Sequence, residues 1–111
     1  MLESIFGNNT VEKILYFISV YGEGYAKQMA DTFLIPINGI QQQLKRLEDG
    51  GVFVSQLKGK TRIYQFNPRF VFKKELEQLL NKAISVLPER EIEKYFRKRS
   101  RPRRKGKPTE N

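Results

Sequence analysis

Asn38, Gln41, Gln42 and Lys45 follow one another at spacings of 3, 1 and 3 residues, which on a helix gathers four hydrogen-bonding side chains on one surface. Amides donate and accept together, so Asn and Gln match the N6 and N7 edge of adenine, while a lysine suits guanine acceptors or a phosphate. Arg46 adds a second cation beside Lys45. Further along, Lys58, Lys60 and Arg62 crowd around Gly59 and Thr61. Cations on a glycine turn can grip phosphates or straddle a minor groove. A charged turn also serves simply to keep a hairpin soluble, and polar residues on a helix face are as a rule merely solvated. Only the order of the surrounding elements lifts these two groups above that background. Tyr25 offers a hydroxyl within reach of the same surface, and the sequence does not decide whether a phosphate would use it.

Other chemistries are closed by what the chain lacks. It contains neither Cys nor His, which removes disulfides, thiolate and imidazole metal sites, and Ser-His or Cys-His catalysis. Glu75, Glu77, Glu89, Glu91 and Glu93 fall on helix faces that read as exposed, without the apolar surround that tunes a catalytic carboxylate. Gly59-Lys60-Thr61 has the ending of a P-loop, but that motif needs another glycine five residues earlier, where Val54 stands in a strand. The expectation is no enzyme, no cofactor and no metal.

Apolar spacing shows which elements must hold the polar groups. With 111 residues, 39% of them hydrophobic, the chain suits one domain with its own core. Val11, Ile14, Leu15, Ile18 and Tyr21 predict a helix within residues 2–21, with Asn9 as its cap and Glu12 placed to return the bond. Leu2, Ile5 and Phe6 form an apolar prelude before Gly7, and Gly22-Glu23-Gly24 turns the chain. Ala26, Met29, Ala30 and Phe33 predict a short helix, ended by Leu34-Ile35-Pro36. A third helix starts near Ile37 with Ile37, Ile40, Leu44 and Leu47 toward the core, and Gly50-Gly51 stops it. Gly39 costs up to about 1 kcal/mol against Ala inside a helix; in the first turn it costs less, and it would let the backbone approach DNA. Residues 52–55 and 62–66 read as a hairpin. A long last helix over residues 71–87 ends at Pro88, beyond which Ile92, Tyr95 and Phe96 make one more apolar face. Phe17, Phe33, Phe53, Tyr64 and Phe66 are assigned to the core. The fold class expected is mainly α with a small β-hairpin (α+β), as a domain over residues 1–96 and a tail over residues 97–111.

Within that order, Ala26-Lys27-Gln28-Met29-Ala30, Leu34-Ile35-Pro36 and the run Leu44-Lys45-Arg46-Leu47-Glu48-Asp49-Gly50-Gly51-Val52 carry a resemblance. Over roughly residues 2–87 the chain resembles the ArsR-type winged helix-turn-helix transcriptional regulators, and it is similar to winged-helix modules fused to, or beside, small nucleotidyltransferases. The resemblance implies a homodimer joined through the first and last helices, with both third helices on one double-stranded DNA. The interface would use Leu2, Ile5, Phe6, Phe72, Leu76, Leu79, Leu80, Ala83, Ile84 and Leu87. Metal-sensing members bind metal through Cys and His, so this chain is not expected to sense metal. Independently, the last helix carries seven apolar residues, more than an edge helix of a small core needs, and such a stripe invites a partner.

Of a net charge of +9, residues 97–111 hold +7, through eight basic residues and Glu110. Arg97, Lys98, Arg99, Arg101, Arg103 and Arg104 would add phosphate contacts without reading sequence. RNA, an acidic protein, or no partner at all are the rivals for that tail. No apolar run reaches the length of a membrane span, and the opening Met1-Leu2-Glu3 lacks a signal pattern, so a cytoplasmic protein is expected. The competing function is a protein-binding adaptor or regulatory subunit, for example of a separately encoded nucleotidyltransferase. Glu48, Asp49 and the scarcity of Arg on the third helix favour it, and the cations of the wing oppose it.

Overall fold

The computed structural model describes residues 1–96; the expectations placed on the tail lie outside the described residues. Six helices and one hairpin follow in the order α1 (Glu3–Phe6), α2 (Asn9–Tyr21), α3 (Ala26–Phe33), α4 (Ile37–Asp49), β1 (Phe53–Lys58), β2 (Thr61–Phe66), α5 (Lys73–Ser85) and α6 (Glu89–Tyr95). The structure is mainly helical with a two-stranded antiparallel hairpin, as expected for the fold class.

Helix α2 is the hub. Val11, Ile14, Leu15 and Ile18 of its expected stripe are buried and Tyr21 half-buried, and Tyr16 and Val20 on its other sides are buried along with the expected Phe17, the condition of a helix surrounded by its own fold. Part of the cover comes from the end of α6, which folds back so that Phe96 meets Tyr16 edge-on at 6.2 Å and Tyr95 lies 5.1 Å from Phe33, while Phe17 packs against Phe33 of α3. The Tyr21 hydroxyl donates to the Tyr95 carbonyl at 2.7 Å and fastens the return.

The cap of α2 differs from the expected one. Asn8, not Asn9, is the N-cap, its Oδ1 accepting the Val11 N–H at 3.1 Å. Glu12 does not return the bond. Its buried carboxylate instead accepts the Leu2 N–H at 2.8 Å and the Tyr16 hydroxyl at 2.7 Å, with the Met1 amine 3.2 Å away. Burial alone would push this carboxyl up, but the donors from Leu2, Tyr16 and the amine outweigh it and hold the group below the usual carboxylate range. Burial, then the facing Glu12, pushes the Tyr16 phenol up. The network straps the N-terminal segment to α2 and sinks Leu2 into the core.

Gly22-Glu23-Gly24 is more than a turn. Gly24 pairs with Tyr64 as an isolated antiparallel bridge, with N–H to carbonyl distances of 3.0 and 2.8 Å, so a single residue extends the hairpin beside β2. A Cβ at Gly24 would sit 2.7 Å from Cε1 of the buried Phe17 ring, which leaves room only for glycine.

Helix α5 has 13 residues, the same as α2 and α4, and so is not the long element expected. Val71 and Phe72 precede it rather than belonging to it, and Pro88 opens α6 instead of continuing the helix.

Candidate nucleic-acid interface

Helices α3 and α4 meet through a tight turn. Leu34 caps α3 in the left-handed region at φ 56°, where a branched residue is strained, and its side chain is 82% exposed. Pro36 then opens α4 with extended backbone. Ile40 and Leu44 anchor α4 at zero exposure, with Leu47 packed against the core. Ile37 departs from expectation: it is 37% exposed, at an open hollow of the α3–α4 turn.

With α4 so anchored, Asn38, Gln42, Lys45 and Asp49 form one exposed stripe along the helix, and exposed Gln41 lies one turn beyond Ile37 beside it. Lys45 Nζ is 3.0 Å from Asp49 Oδ2, and that hydrogen bond and charge raise its pKa. Both side chains are largely exposed, so the pair is weak and an incoming phosphate could displace it. Gly39 lies in the first turn, where a Cβ would meet only Ile35 Cγ2 at an ordinary 3.7 Å, so the fold itself does not require glycine there.

The hairpin is tighter and longer than expected. Its strands run to Lys58 and from Thr61, leaving Gly59-Lys60 as a two-residue turn with Gly59 at φ 65°, the arrangement favoured by the strand twist. Lys58, Lys60 and Arg62 are exposed. Because Lys58 pairs with Thr61 and Leu57 with Arg62, strand alternation sends Lys58 and Arg62 to opposite faces of the tip. A hydrogen-bond relay joins the hairpin to α4: Arg62 Nη1 donates to Ser55 Oγ at 3.0 Å, and Ser55 Oγ donates to Glu48 Oε2 at 2.6 Å. Burial, then the nearby Glu48 carboxylate, pushes the half-buried Tyr64 phenol up in the same corner.

The structure thus brings Asn38, Gly39, Gln41, Gln42 and Lys45 together on α4, with Lys58, Lys60, Thr61 and Arg62 on a hairpin linked to it. Tyr25 stands apart at the start of α3, its N–H donating to Gln28 Oε1 at 3.2 Å and its ring partly exposed. Arg46 does not join the group. It lines an apolar groove of about 400 Å³ on the opposite flank of α4, with Glu75, Leu76 and Leu79 of α5. Sequence periodicity alone does not show that Arg46 borders this groove while Lys45 does not.

That groove also takes in Phe6 and Phe72, and their chain neighbours Ile5 and Val71 are exposed. Leu2, Leu80 and Ala83, expected at a dimer interface, are instead buried within the chain's own core, since α1 and α5 both pack directly on α2. Leu76, Ile84 and Leu87 are half-buried, and Phe72, Ile5 and Leu79 remain exposed. A second cavity of about 700 Å³ between α2 and α6 is lined by both signs of charge, Glu12, Glu91, Lys13, Arg90 and Lys94 among them. Among the described residues no three potential ligands gather to hold a metal ion, and no helix is long and apolar enough to cross a membrane. No protein family, curated protein or solved structure matches this chain.

Proposed function

We propose that the chain is a winged helix-turn-helix protein that binds double-stranded DNA in a sequence-specific way as a homodimeric transcriptional regulator. The observation that carries this reading is the stripe of exposed amides on α4, joined through the Glu48–Ser55 hydrogen bond to a hairpin with a cationic tip. Helix α4 has the dimensions to enter a major groove, where Asn38, Gln41 and Gln42 would meet base edges and Lys45 a phosphate or a guanine. Lys58, Lys60 and Arg62 would hold the backbone or the neighbouring minor groove. The Gly24 bridge to Tyr64 supports the assignment, because it fixes the hairpin to the segment that leads into α3 and so sets the wing relative to the helix pair.

The exposed apolar residues at α1 and at the start of α5 support self-association, with Phe72 and Leu79 lining the groove between them. A two-fold pair would set two copies of α4 about 34 Å apart along one face of the duplex and would favour a palindromic site. The same groove favours a second reading, in which a different protein occupies it and the chain acts as an adaptor.

The test is equilibrium binding of the full chain, at about 150 mM salt, to duplexes recovered from a randomised pool and to scrambled versions of them. Gln42→Ala is expected to weaken the recovered duplex by roughly 5- to 150-fold, the worth of one bidentate base contact, and to leave the scrambled duplex unchanged. Equal binding of recovered and scrambled duplexes would overturn the regulator in favour of the adaptor.

A further inference from the structure

We infer that the bases read by the first two turns of α4 are A·T pairs, with Ile37 as a specificity-determining residue that contacts thymine methyl groups. The inference rests on the proposal that α4 enters the major groove and names what it would read there. In recognition helices of this kind the N-terminal residues reach the base edges. Here those residues are Ile37, Asn38, Gln41 and Gln42, all exposed. Three of them are amides, the side chains that pair bidentately with adenine, and the fourth is an apolar group of the sort that packs on the thymine methyl. None is a cation.

The cations of α4 lie elsewhere. Lys45 stands beyond the first two turns and pairs with Asp49 at 3.0 Å, while Arg46 lines the groove beside α5. The bidentate guanine contact is the commonest specific one and needs Arg or Lys, so the leading turns of α4 are poorly equipped for G·C pairs. Ile37 adds a positive argument. It belongs by type to a core, yet it is 37% exposed next to Leu34 at 82%, and the two line an open hollow with Ile35 and Pro36 at the α3–α4 turn, edged by Lys27 and Asp31 of α3. Exposed apolar surface is returned to favourable energy only by contact, and a row of thymine methyls supplies such contact. The hairpin agrees independently: A·T-rich minor grooves are narrow and attract Lys and Arg, and Lys58, Lys60 and Arg62 stand at the tip.

The experiment uses the full chain and duplexes recovered from a randomised pool. Their consensus is read by sequencing, and affinity is then measured with deoxyuridine replacing thymidine, which deletes only the methyl group. A·T-rich half-sites are expected, with a loss of about 4-fold for a buried methyl removed. Ile37→Ala should bind the thymine and uracil duplexes equally, and Ile37→Val should keep part of the difference. Because the readout is a ratio within each variant, partial misfolding does not imitate it. A G·C consensus, or a thymine-to-uracil ratio unchanged in Ile37→Ala, would overturn this inference and leave DNA reading by α4 standing. Recovery of no consensus would overturn both.

Discussion

The chain leaves two surfaces uncovered by its own fold, and they are made of opposite materials. The face of α4 and the hairpin tip is amide and cation, with Asn38, Gln41, Gln42, Lys58, Lys60 and Arg62 all exposed. The face of α1 and α5 is apolar, with Ile5, Val71 and Phe72 exposed around the groove. Helix α4 borders both, and its two adjacent cations are divided between them: Lys45 lies on the polar stripe, whereas Arg46 lines the groove. A surface rich in unsatisfied donors and acceptors pays little to stay in water and gains by meeting a patterned polyanion. An apolar surface of this kind gains by meeting another apolar surface. The contrast therefore predicts two separable partnerships, one on each side of α4.

Substitutions can break that contrast. The largest effect is expected from Phe72→Asp, which places a charge at the centre of the apolar face. Loss of one interface anchor is worth about 2 kcal/mol or more, or about 30-fold in the dimer dissociation constant. Sedimentation equilibrium should show a monomer that remains folded, since Phe72 is 61% exposed and contributes little to the core. A variant that stays dimeric would move the interface elsewhere.

Gly24→Ala tests the joint between hairpin and helix pair. Its Cβ would lie 2.7 Å from the Phe17 ring, and overpacking of that kind costs about 1–3 kcal/mol. Urea unfolding should show that loss, with the Gly24–Tyr64 amides exchanging faster.

Glu12 probes the strap that holds Leu2 and hence α1, one wall of the apolar face. Its pKa is lowered in the folded state, so it contributes stability above its unfolded value of about 4.3 and loses that contribution as pH falls through the lower folded value. Glu12→Gln should be less stable at pH 7 by roughly 1–3 kcal/mol, the cost of disturbing buried donors, and its stability should decline less steeply in acid. Parallel acid limbs for the two proteins would remove Glu12 from the account.

The smallest effect sharpens the polar face. Gly39 has room for a Cβ, so Gly39→Ala should stabilise the fold by about 0.5–1 kcal/mol in thermal melts. If DNA approaches the α4 backbone there, the same variant should bind the recovered duplex more weakly. Stability gained with no loss of binding would mean that the glycine serves nothing on this face.

Much of the architecture was legible because it is local. Periodicity placed α2, α3 and α4 and the hairpin, since each is a run of side chains with one covered face. What escaped was decided by distant contacts. The burial of Tyr16 depends on Phe96 returning across α2 at the end of α6, which no spacing within α2 encodes. Gly24 looked like a turn residue because its bridge partner, Tyr64, lies far along the chain. Leu80 and Ala83 sat in the same stripe as Phe72 and Leu79, and only the packing of α5 on α2 separates covered from uncovered members. At the candidate site the amide stripe was readable from residues 38–45 alone. The exposure of Ile37 and the diversion of Arg46 were not, because both depend on where α4 ends relative to its neighbours.

The most direct test of the central claim is amide chemical-shift mapping of the full chain titrated with a recovered duplex. The largest shifts are expected in the first two turns of α4 and at the hairpin tip around Gly59, with α5 little affected beyond any change in dimer population. Shifts concentrated on α5 and α6, or confined to residues 97–111, would contradict it.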